Sequence, residues 1–285
     1  TTPVQVRFQA GTVIKSIGEG RDAGYAVDET GQGWAWGEFT CNSRTPSTFS
    51  PVEVPGLSGL VSVSGGGGHV LWLTSSGQIY ACGTNSSGQL GDGKTRSTLS
   101  PVAVSGLPAG DPAVAISSGS SFSTALLADG EVWAWGKGNR GQLGDGSIGG
   151  SDVPQEVKLP AGLDATEVYA GGDVAGDGQA IAVLSNDEVV AWGADNAGQL
   201  GDGKRIAEPT PVPVSVPAGV TFSSVATAGL SSYAIDTQGN LWAWGSDAEG
   251  QIGNHSRRSV SQPVEVDSGV EMVSSTARDV IDLHG

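Results

Sequence analysis

The sequence predicts an all-β fold built from repeated four-stranded units, and two periodic markers support this prediction. The first marker is an apolar strand that ends in glycine, and it occurs five times, at 34–37, 80–83, 133–136, 190–193 and 242–245. The second is a proline-valine segment, which starts at Pro3, Pro51, Pro101, Pro154, Pro211 and Pro263. Its spacing of 48, 50, 53, 57 and 52 residues is typical of stacked supersecondary units.

Each unit is interpreted as four short antiparallel strands, which we letter A to D in chain order. An apolar stretch such as 61–64 or 114–117 predicts strand A. A second stretch, such as 124–127, predicts strand B, and it ends in a tight turn formed by Asp129 and Gly130. Glycine supplies the positive φ that such hairpin turns require. The glycine-terminated marker is strand C, and the alternating proline-valine marker is strand D.

Four-stranded antiparallel units that repeat without helical periodicity describe the blades of a β-propeller. Between strands C and D, three units share the sequence Gly-Gln-Leu-Gly-Asp-Gly, at 88–93, 141–146 and 198–203, and a fourth carries the related segment 250–254. A loop of constant length and sequence is expected to pack against a fixed neighbour, most simply the next blade. We therefore predict a single β-propeller domain of about six blades over residues 1–285.

The last predicted blade is incomplete. The repeats run approximately over 7–54, 55–104, 105–157, 158–214 and 215–266, with a partial unit formed by 267–285 and 1–6. The partial unit has strands A and B, and we expect 3–6 to add strand D, but it lacks strand C. Three alternatives are open: the chain is part of a longer protein, the sixth blade tolerates three strands, or another chain donates the missing strand and so drives self-assembly.

The combination of Trp-Ala-Trp-Gly, Asn-x-x-Gly-Gln-Leu-Gly-Asp-Gly and Pro-Val-x-Val resembles the repeat of the regulator of chromosome condensation family over nearly the whole chain. This resemblance implies a propeller, in that family most often of seven blades. The name-giving member is a nucleotide exchange factor for the GTPase Ran and binds chromatin, a bacterial relative inhibits β-lactamases, and other relatives are interaction modules. The fold alone does not choose among these functions.

The charge of the chain argues against nucleic acid and anionic membranes as partners. With 30 Asp and Glu against 14 Lys and Arg, the formal net charge is −16 at pH 7. Such a charge opposes attraction to phosphate backbones and to anionic lipid. No apolar run approaches the roughly 18 residues of a membrane-spanning helix. We therefore predict neither nucleic-acid binding nor membrane insertion.

Cys41 and Cys82 are the only cysteines. Cys82 takes the place that tryptophan occupies in the other C strands, and Cys41 lies five residues beyond the equivalent Trp36 of the preceding unit. Because neighbouring units touch, the two residues could form a disulfide. The alternative is one buried thiol and one loop thiol.

No constellation of residues predicts catalysis or metal binding. Asp92, Asp145 and Asp202 each lie between glycines in a loop, but a calcium loop needs several oxygen ligands and each loop offers one carboxylate. We interpret them as turn residues that bond nearby amides. None of the three histidines lies at zinc-ligand spacing from another histidine or a cysteine. We predict no cofactor, no metal and no enzyme activity.

The turns between strands A and B form the predicted binding surface, because the consensus residues serve the scaffold and loops carry binding. Equivalent turns of all blades emerge on one face of a propeller, around its central channel. The non-consensus candidates at or near these turns are Arg21, Asp22, His69, Trp72, Phe122, Asp173, Asp177, Leu230 and Arg278. The resembled family often packs a histidine between blades at the position of His69, so this residue also has a structural interpretation. The strand C tryptophans are expected to form inter-blade core.

These features favour a non-enzymatic protein-binding or assembly module that uses one face of a propeller. Its acidic, lysine-poor composition and its loops rich in Ser, Thr and Gly suggest a bacterial secreted or cell-surface protein. One alternative is a guanine nucleotide exchange factor for a Ran-like GTPase, although no long inserted hairpin is present. The other is an inhibitor of a hydrolase such as β-lactamase, although few aromatic residues lie on the predicted face.

Overall fold

The computed structural model describes residues 4–38, 41–173, 176–268, 270–275 and 280–284. All regular secondary structure within these ranges is β-strand, and twenty strands form five four-stranded antiparallel sheets. Within the same ranges, no helix has the length and apolar character needed to cross a membrane. The prediction of an all-β fold made of repeated four-stranded units is confirmed.

Each sheet is one blade, and its strands follow one another in chain order. Blade 1 contains β1 (Ile14–Gly20), β2 (Ala23–Asp28), β3 (Gly33–Glu38) and β4 (Ser47–Glu53). Blade 2 contains β5 (Leu60–Gly65), β6 (His69–Thr74), β7 (Ile79–Gly83) and β8 (Thr98–Ala103). Blade 3 contains β9 (Ala113–Ser118), β10 (Phe122–Leu127), β11 (Val132–Gly136) and β12 (Ser151–Glu156). Blade 4 contains β13 (Ala165–Ala170), β14 (Gln179–Leu184), β15 (Val189–Gly193) and β16 (Glu208–Pro213). Blade 5 contains β17 (Phe222–Ala228), β18 (Ser231–Asp236), β19 (Asn240–Gly245) and β20 (Val260–Ser268).

A two-stranded sheet follows blade 5. It consists of β21 (Val270–Ser275) and β22 (Val280–His284), and β21 packs against β17 and β18. The predicted composite sixth blade is not formed by the described residues, because 4–6 adopt no strand; Pro3 lies outside those residues. Phe8 instead packs edge-on against Trp34 and Trp36 of blade 1, with ring centroids 5.7 and 5.8 Å apart. This aromatic contact packs the start of the first repeat against blade 1.

The hairpins within each blade follow the turn chemistry of the sequence. In blade 3, Leu126 of β10 pairs with Val132 of β11, and Gly130 in the connecting turn has a φ of 92°. The carboxylate of Asp129 accepts the backbone N–H of Glu131 at 2.8 Å. Glycine adopts a positive φ without the steric penalty that other residues incur. The Asp-Gly sequence therefore specifies this turn.

The core lies between neighbouring blades, and strand C supplies its largest side chains. Trp135, Trp192 and Trp244 are completely buried. Each donates its indole N–H to a backbone carbonyl in the C–D loop of the preceding blade. The acceptors are Gln89, Gln142 and Gln199, at 2.9, 3.0 and 3.0 Å. The predicted role of these tryptophans in the inter-blade core is confirmed.

The C–D loops that share Gly-Gln-Leu-Gly-Asp-Gly pack against strand D of the next blade. Gly93, Gly146 and Gly203 each donate a backbone N–H across the blade boundary. Their carbonyl acceptors are Asp152, Pro209 and Ser261, at 3.0, 2.8 and 2.8 Å. This repeated contact explains why the loops keep one length and one sequence.

Between blades 1 and 2, a disulfide replaces the indole-carbonyl hydrogen bond. Cys82 directly precedes the terminal glycine of β7, as Trp135 does in β11. It is bonded to Cys41 in the C–D loop of blade 1, with the two Cα atoms 5.8 Å apart. Both cysteines are buried. A covalent link thus occupies the position at which blades 3 to 5 use a tryptophan.

Candidate functional site

The A strands of the five blades line a central channel. The channel contains a cavity of about 900 Å³ and reaches the turns between strands A and B. Glycine and serine dominate its wall, so backbone atoms and hydroxyl groups form much of the surface. The longest glycine and serine runs in the wall are 64–68 and 117–121. Such a wall allows a partner to approach the backbone closely.

Serine hydroxyls connect the A strands of neighbouring blades. Ser118 donates its backbone N–H to Ser64 Oγ at 3.0 Å and its hydroxyl to the Ser64 carbonyl at 2.9 Å. The backbone N–H of Ala170 donates to Ser117 Oγ at 2.9 Å. These bonds join β5 to β9 and β9 to β13. They hold the channel wall together without filling the channel.

Several predicted binding residues lie at the rim of this channel. Arg21 and Asp22 are exposed in the β1–β2 turn and form an ion pair at 3.7 Å. Leu230, in the β17–β18 turn, is half-buried. The structure therefore brings these turns to one face, while their role in binding stays a prediction. Arg278 lies outside the described residues.

The A–B turn of blade 4 is longer than the others and contains two of the predicted acidic residues. Asp173 and Asp177 are half-buried, and the backbone N–H of Asp177 donates to Asp173 Oδ1 at 3.1 Å. Asp177 also forms an ion pair with Arg140 at 3.5 Å. These contacts tie the turn to the C–D loop of blade 3, so its carboxylates are held at the rim.

His69 lies buried beneath the A–B turn of blade 2. Its Nε2 is 2.9 Å from Ser123 Oγ in blade 3, and the Ser123 hydroxyl donates its single proton to the Gln89 carbonyl at 2.8 Å. Ser123 must therefore accept a hydrogen bond from His69 Nε2. Burial lowers the pKa of His69 to about 4, so the ring is neutral at pH 7. Its Nδ1 is then a bare acceptor, and it has no hydrogen-bond partner within the described ranges.

A glycine of the channel wall lies against this edge of the imidazole. A Cβ atom added to Gly66 would be 2.8 Å from His69 Nδ1 and 2.5 Å from Cε1, so no larger residue fits there. Gly66 itself lines the channel. The unpaired nitrogen thus lies directly behind a channel glycine.

Glu19 of β1 lies in the same part of the channel. Its backbone carbonyl is in close contact with Gly65, the neighbour of Gly66. Partial desolvation by the wall raises the pKa of the Glu19 carboxyl, and a hydrogen bond to its own backbone offsets part of that effect. Among the residues that the structure describes, Glu19 has no ion-pair partner. The backbone of Glu19 thus contacts the glycine that precedes Gly66 in the channel wall.

Blade 4 repeats this arrangement with an amide. Gln179 is the first residue of β14, as His69 is of β6. Its side chain is completely buried, and within the described part of the chain neither of its amide atoms has a hydrogen-bond partner. A Cβ atom at Gly171, which lines the channel, would be 3.2 Å from Gln179 Nε2. Two blades thus place an unpaired polar group behind a channel glycine.

A comparison with known proteins identifies the family. The model described as RCC1-like domain matches residues 1–282. The chain belongs to the RCC1-like domain family. Human HERC2, an E3 ubiquitin-protein ligase, is 31% identical to this RCC1-like domain over 234 residues, which are 80% of this chain and 5% of HERC2. The Ultraviolet-B receptor UVR8 of Arabidopsis thaliana is 30% identical over 272 residues, which are 93% of this chain and 60% of UVR8. The chain thus spans less than two thirds of either relative.

Solved structures show the same fold for this RCC1-like domain. Human WBSCR16 is 20% identical with a TM-score of 0.83, and the match covers 96% of this chain and 73% of that one. Prp20p of Saccharomyces cerevisiae is 21% identical with a TM-score of 0.82, and the match covers 95% of this chain and 68% of that one. The resemblance to the regulator of chromosome condensation family is confirmed.

Three predicted binding residues of the RCC1-like domain are buried, so the expectation that they face a partner is wrong. His69, Trp72 and Phe122 are 1%, 0% and 1% exposed. Strand B lies between strands A and C of its own blade and between two neighbouring blades, so both of its faces are covered. The Trp72 ring packs at 86° against Tyr25 of blade 1, and the Phe122 ring fills the space that Gly119 leaves open.

Some channel residues lie within strand A and were not predicted from the sequence. The predicted site was restricted to the turns, whereas Glu19, Ser117 and Ser118 line the channel from the strands. The sequence carries no signal for Glu19, because the exposed residues Lys15, Ile17 and Glu19 of β1 do not share one polarity. In this RCC1-like domain strand A is the innermost strand of each blade. Residues of the A strands therefore line the channel together with the turns.

Proposed function

We propose that this RCC1-like domain is a non-enzymatic protein-binding module that contacts its partner through the face formed by the A–B turns. The observation that carries the proposal is the convergence of five blades on one glycine- and serine-lined channel. A rigid scaffold that presents several loops on one face is suited to binding. The binding properties of Prp20p toward Gsp1p and histones show that a protein of this fold binds other proteins.

The chemistry of the site favours binding over catalysis. His69 and Ser123 are 2.9 Å apart, but they do not form a base and a nucleophile, because the histidine donates to the serine and both side chains are buried. The described residues contain no group of three or more Cys, His, Asp or Glu that could hold a metal ion. The ligase activity named for HERC2 belongs to a protein of which this chain spans 5%. We infer that the domain itself catalyses no reaction.

Site-specific photo-crosslinking tests the proposed face. A photoreactive amino acid replaces the exposed Asp22 at the rim, and a matched variant carries it in place of Glu188, an exposed residue of the turn between strands B and C of blade 4. The expected result is that native extract yields a crosslinked protein with the variant at position 22 and none with the variant at 188. Capture at position 188 alone, or equal capture at both positions, would contradict the proposal.

We also propose an extracellular or cell-surface location in a bacterial protein. The disulfide between Cys41 and Cys82 supports it, because disulfides persist mainly in oxidising compartments. The test is maleimide labelling of the denatured native protein before and after reduction. Labelling only after reduction is expected, whereas full labelling without reduction would refute the proposed location.

A further inference from the structure

We propose that a second copy of this chain packs against blade 1, with β1 facing β1 of the other copy around a two-fold axis at Ile17. The surface concerned is the face of blade 1 that carries Lys15, Ile17, Glu19 and Trp36, which we call the open face. The contact does not need the A–B turns as a group, so the inference goes beyond the proposed function.

The open face corresponds to the surface that each later blade turns toward the blade before it. Ile17 pairs with the fourth residue of strand B, as Val63, Val168 and Val225 do in blades 2, 4 and 5. Val63 points toward blade 1, because a Cβ atom at Gly18 would be 3.4 Å from its Cγ1. The three valines are 6%, 5% and 3% exposed, whereas Ile17 is 77% exposed. An apolar side chain is therefore uncovered in blade 1 at a position that is interior in other blades.

The outer part of the open face is also incompletely covered. Trp36 takes the position of the buried tryptophans of blades 3 to 5, but it is only half-buried, and within the described ranges its indole N–H has no hydrogen-bond partner. Phe8 packs edge-on against it. Phe49 of β4 is fully exposed, at the position where Asp152 of blade 3 accepts the N–H of Gly93 from the preceding blade. Exposed apolar residues that share one face mark an interaction surface.

The charges on β1 favour a second copy over an unrelated partner. Lys15, Ile17 and Glu19 are the exposed residues of β1 and alternate with less exposed ones, so they share one face of the strand. When two such strands lie antiparallel about an axis at Ile17, Lys15 of each copy is opposite Glu19 of the other. In the part of the chain that the structure describes, neither residue forms an ion pair. The strand thus carries both halves of two ion pairs around an apolar centre, which is the self-complementarity that a two-fold interface requires.

The contact is expected to be weak. It uses one face of one blade, which is small compared with the standard interface of roughly 800 Å² on each partner. The net charge of −16 on each copy also opposes association at low salt. At about 150 mM salt the Debye length is about 8 Å, so the long-range repulsion is largely screened. We therefore expect a monomer–dimer equilibrium with a micromolar dissociation constant.

Sedimentation velocity at that salt concentration, from low micromolar to submillimolar protein, measures the equilibrium. Lys15→Glu surrounds the axis with four acidic side chains, and Glu19→Lys surrounds it with four basic ones. Each single variant should weaken the dimer at least about tenfold, because like charges then face each other twice. The matched variant Glu188→Lys, at an exposed turn of blade 4, changes the net charge as Glu19→Lys does and should associate as the wild type does.

A mixture of the two single variants provides the decisive measurement. In a mixed dimer every lysine at position 15 or 19 faces a glutamate of the other copy, so an equimolar mixture of Lys15→Glu and Glu19→Lys should regain the association of the wild type. Restoration requires both variants to be folded, so it also excludes unfolding as the cause of the weaker association of each alone.

Three results would overturn the inference. A wild type that stays monomeric at every concentration would show that a second copy does not cover the open face, as expected if another protein covers it. Association that neither single variant weakens would take place through a different surface. A mixture that stays as dissociated as its components would refute the antiparallel pairing of β1.

Discussion

Removal of the disulfide between Cys41 and Cys82 should destabilise the domain, and the sequence separation of the two cysteines sets the magnitude. The bond closes a loop with a sequence separation of 41 residues. In the chain-entropy description, the closure of such a loop contributes about 4 kcal/mol at about 25 °C, through restriction of the unfolded chain. We therefore expect the double variant Cys41→Ala and Cys82→Ala to lose about 4 kcal/mol of unfolding free energy. Alanine is the better replacement, because buried serine hydroxyls would add a polar desolvation cost.

Urea denaturation followed by circular dichroism measures this loss, and hydrogen exchange locates it. Exchange should accelerate in β3 and β7, whose blades the bond joins, while β15 and β19 keep their protection because Trp192 and Trp244 retain their inter-blade hydrogen bonds. The wild type under reducing conditions should behave as the double variant does. The expected loss of unfolding free energy is about 4 kcal/mol. A loss below about 1 kcal/mol would refute the view that this bond replaces a tryptophan as the inter-blade link.

Three further outcomes are expected. Because burial depresses the pKa of His69 from 6.5 to about 4, its neutral form contributes stability that is complete above pH 6.5 and is lost as the pH falls toward 4. Between these limits the loss of unfolding free energy should reach about 3 kcal/mol. Urea denaturation of His69→Gln at several pH values should show a shallower pH dependence of stability than the wild type. The same pH dependence in both proteins would contradict the assigned neutral ring. Trp135→Ala should lower the unfolding free energy by about 3–5 kcal/mol, and a change below about 1 kcal/mol would show that the side chain is not core. Anisotropy titrations at physiological salt should detect negligible affinity for DNA and for anionic vesicles; a micromolar dissociation constant with a steep salt dependence would disprove this.

The periodic parts of the molecule were predictable, because each blade repeats the same contacts. Trp135 could be assigned to the core from sequence, since a tryptophan recurs at that place in most units and an identical environment is the simplest cause. The C–D loops could be assigned to an inter-blade contact for the same reason. A residue that recurs at one position of the repeat makes the same contact in several blades, so one physical reason predicts its place in each of them.

The non-periodic residues were predicted less well, because their surroundings depend on distant segments. Trp72 and Phe122 depart from the consensus, and the departure was interpreted as function, whereas neighbouring glycines leave room for both rings in the interior. The unpaired nitrogen of His69 depends on Ser123, 54 residues later in the chain. Residues 3–6 were assigned to strand D of the last blade because their proline-valine pattern matches that strand, but 4–6 form no strand in the structure.

The hydroxyl contacts between strands A have a consequence for how binding preferences can diverge. The wall of the channel is held by Ser64, Ser117 and Ser118 through backbone partners, and the tryptophans between the blades maintain the fold further out. Side chains at the rim, such as Arg21 and Asp22, take part in neither set of contacts. Substitutions at the rim can therefore accumulate with little effect on folding, and a lineage can change its partner while keeping the same propeller.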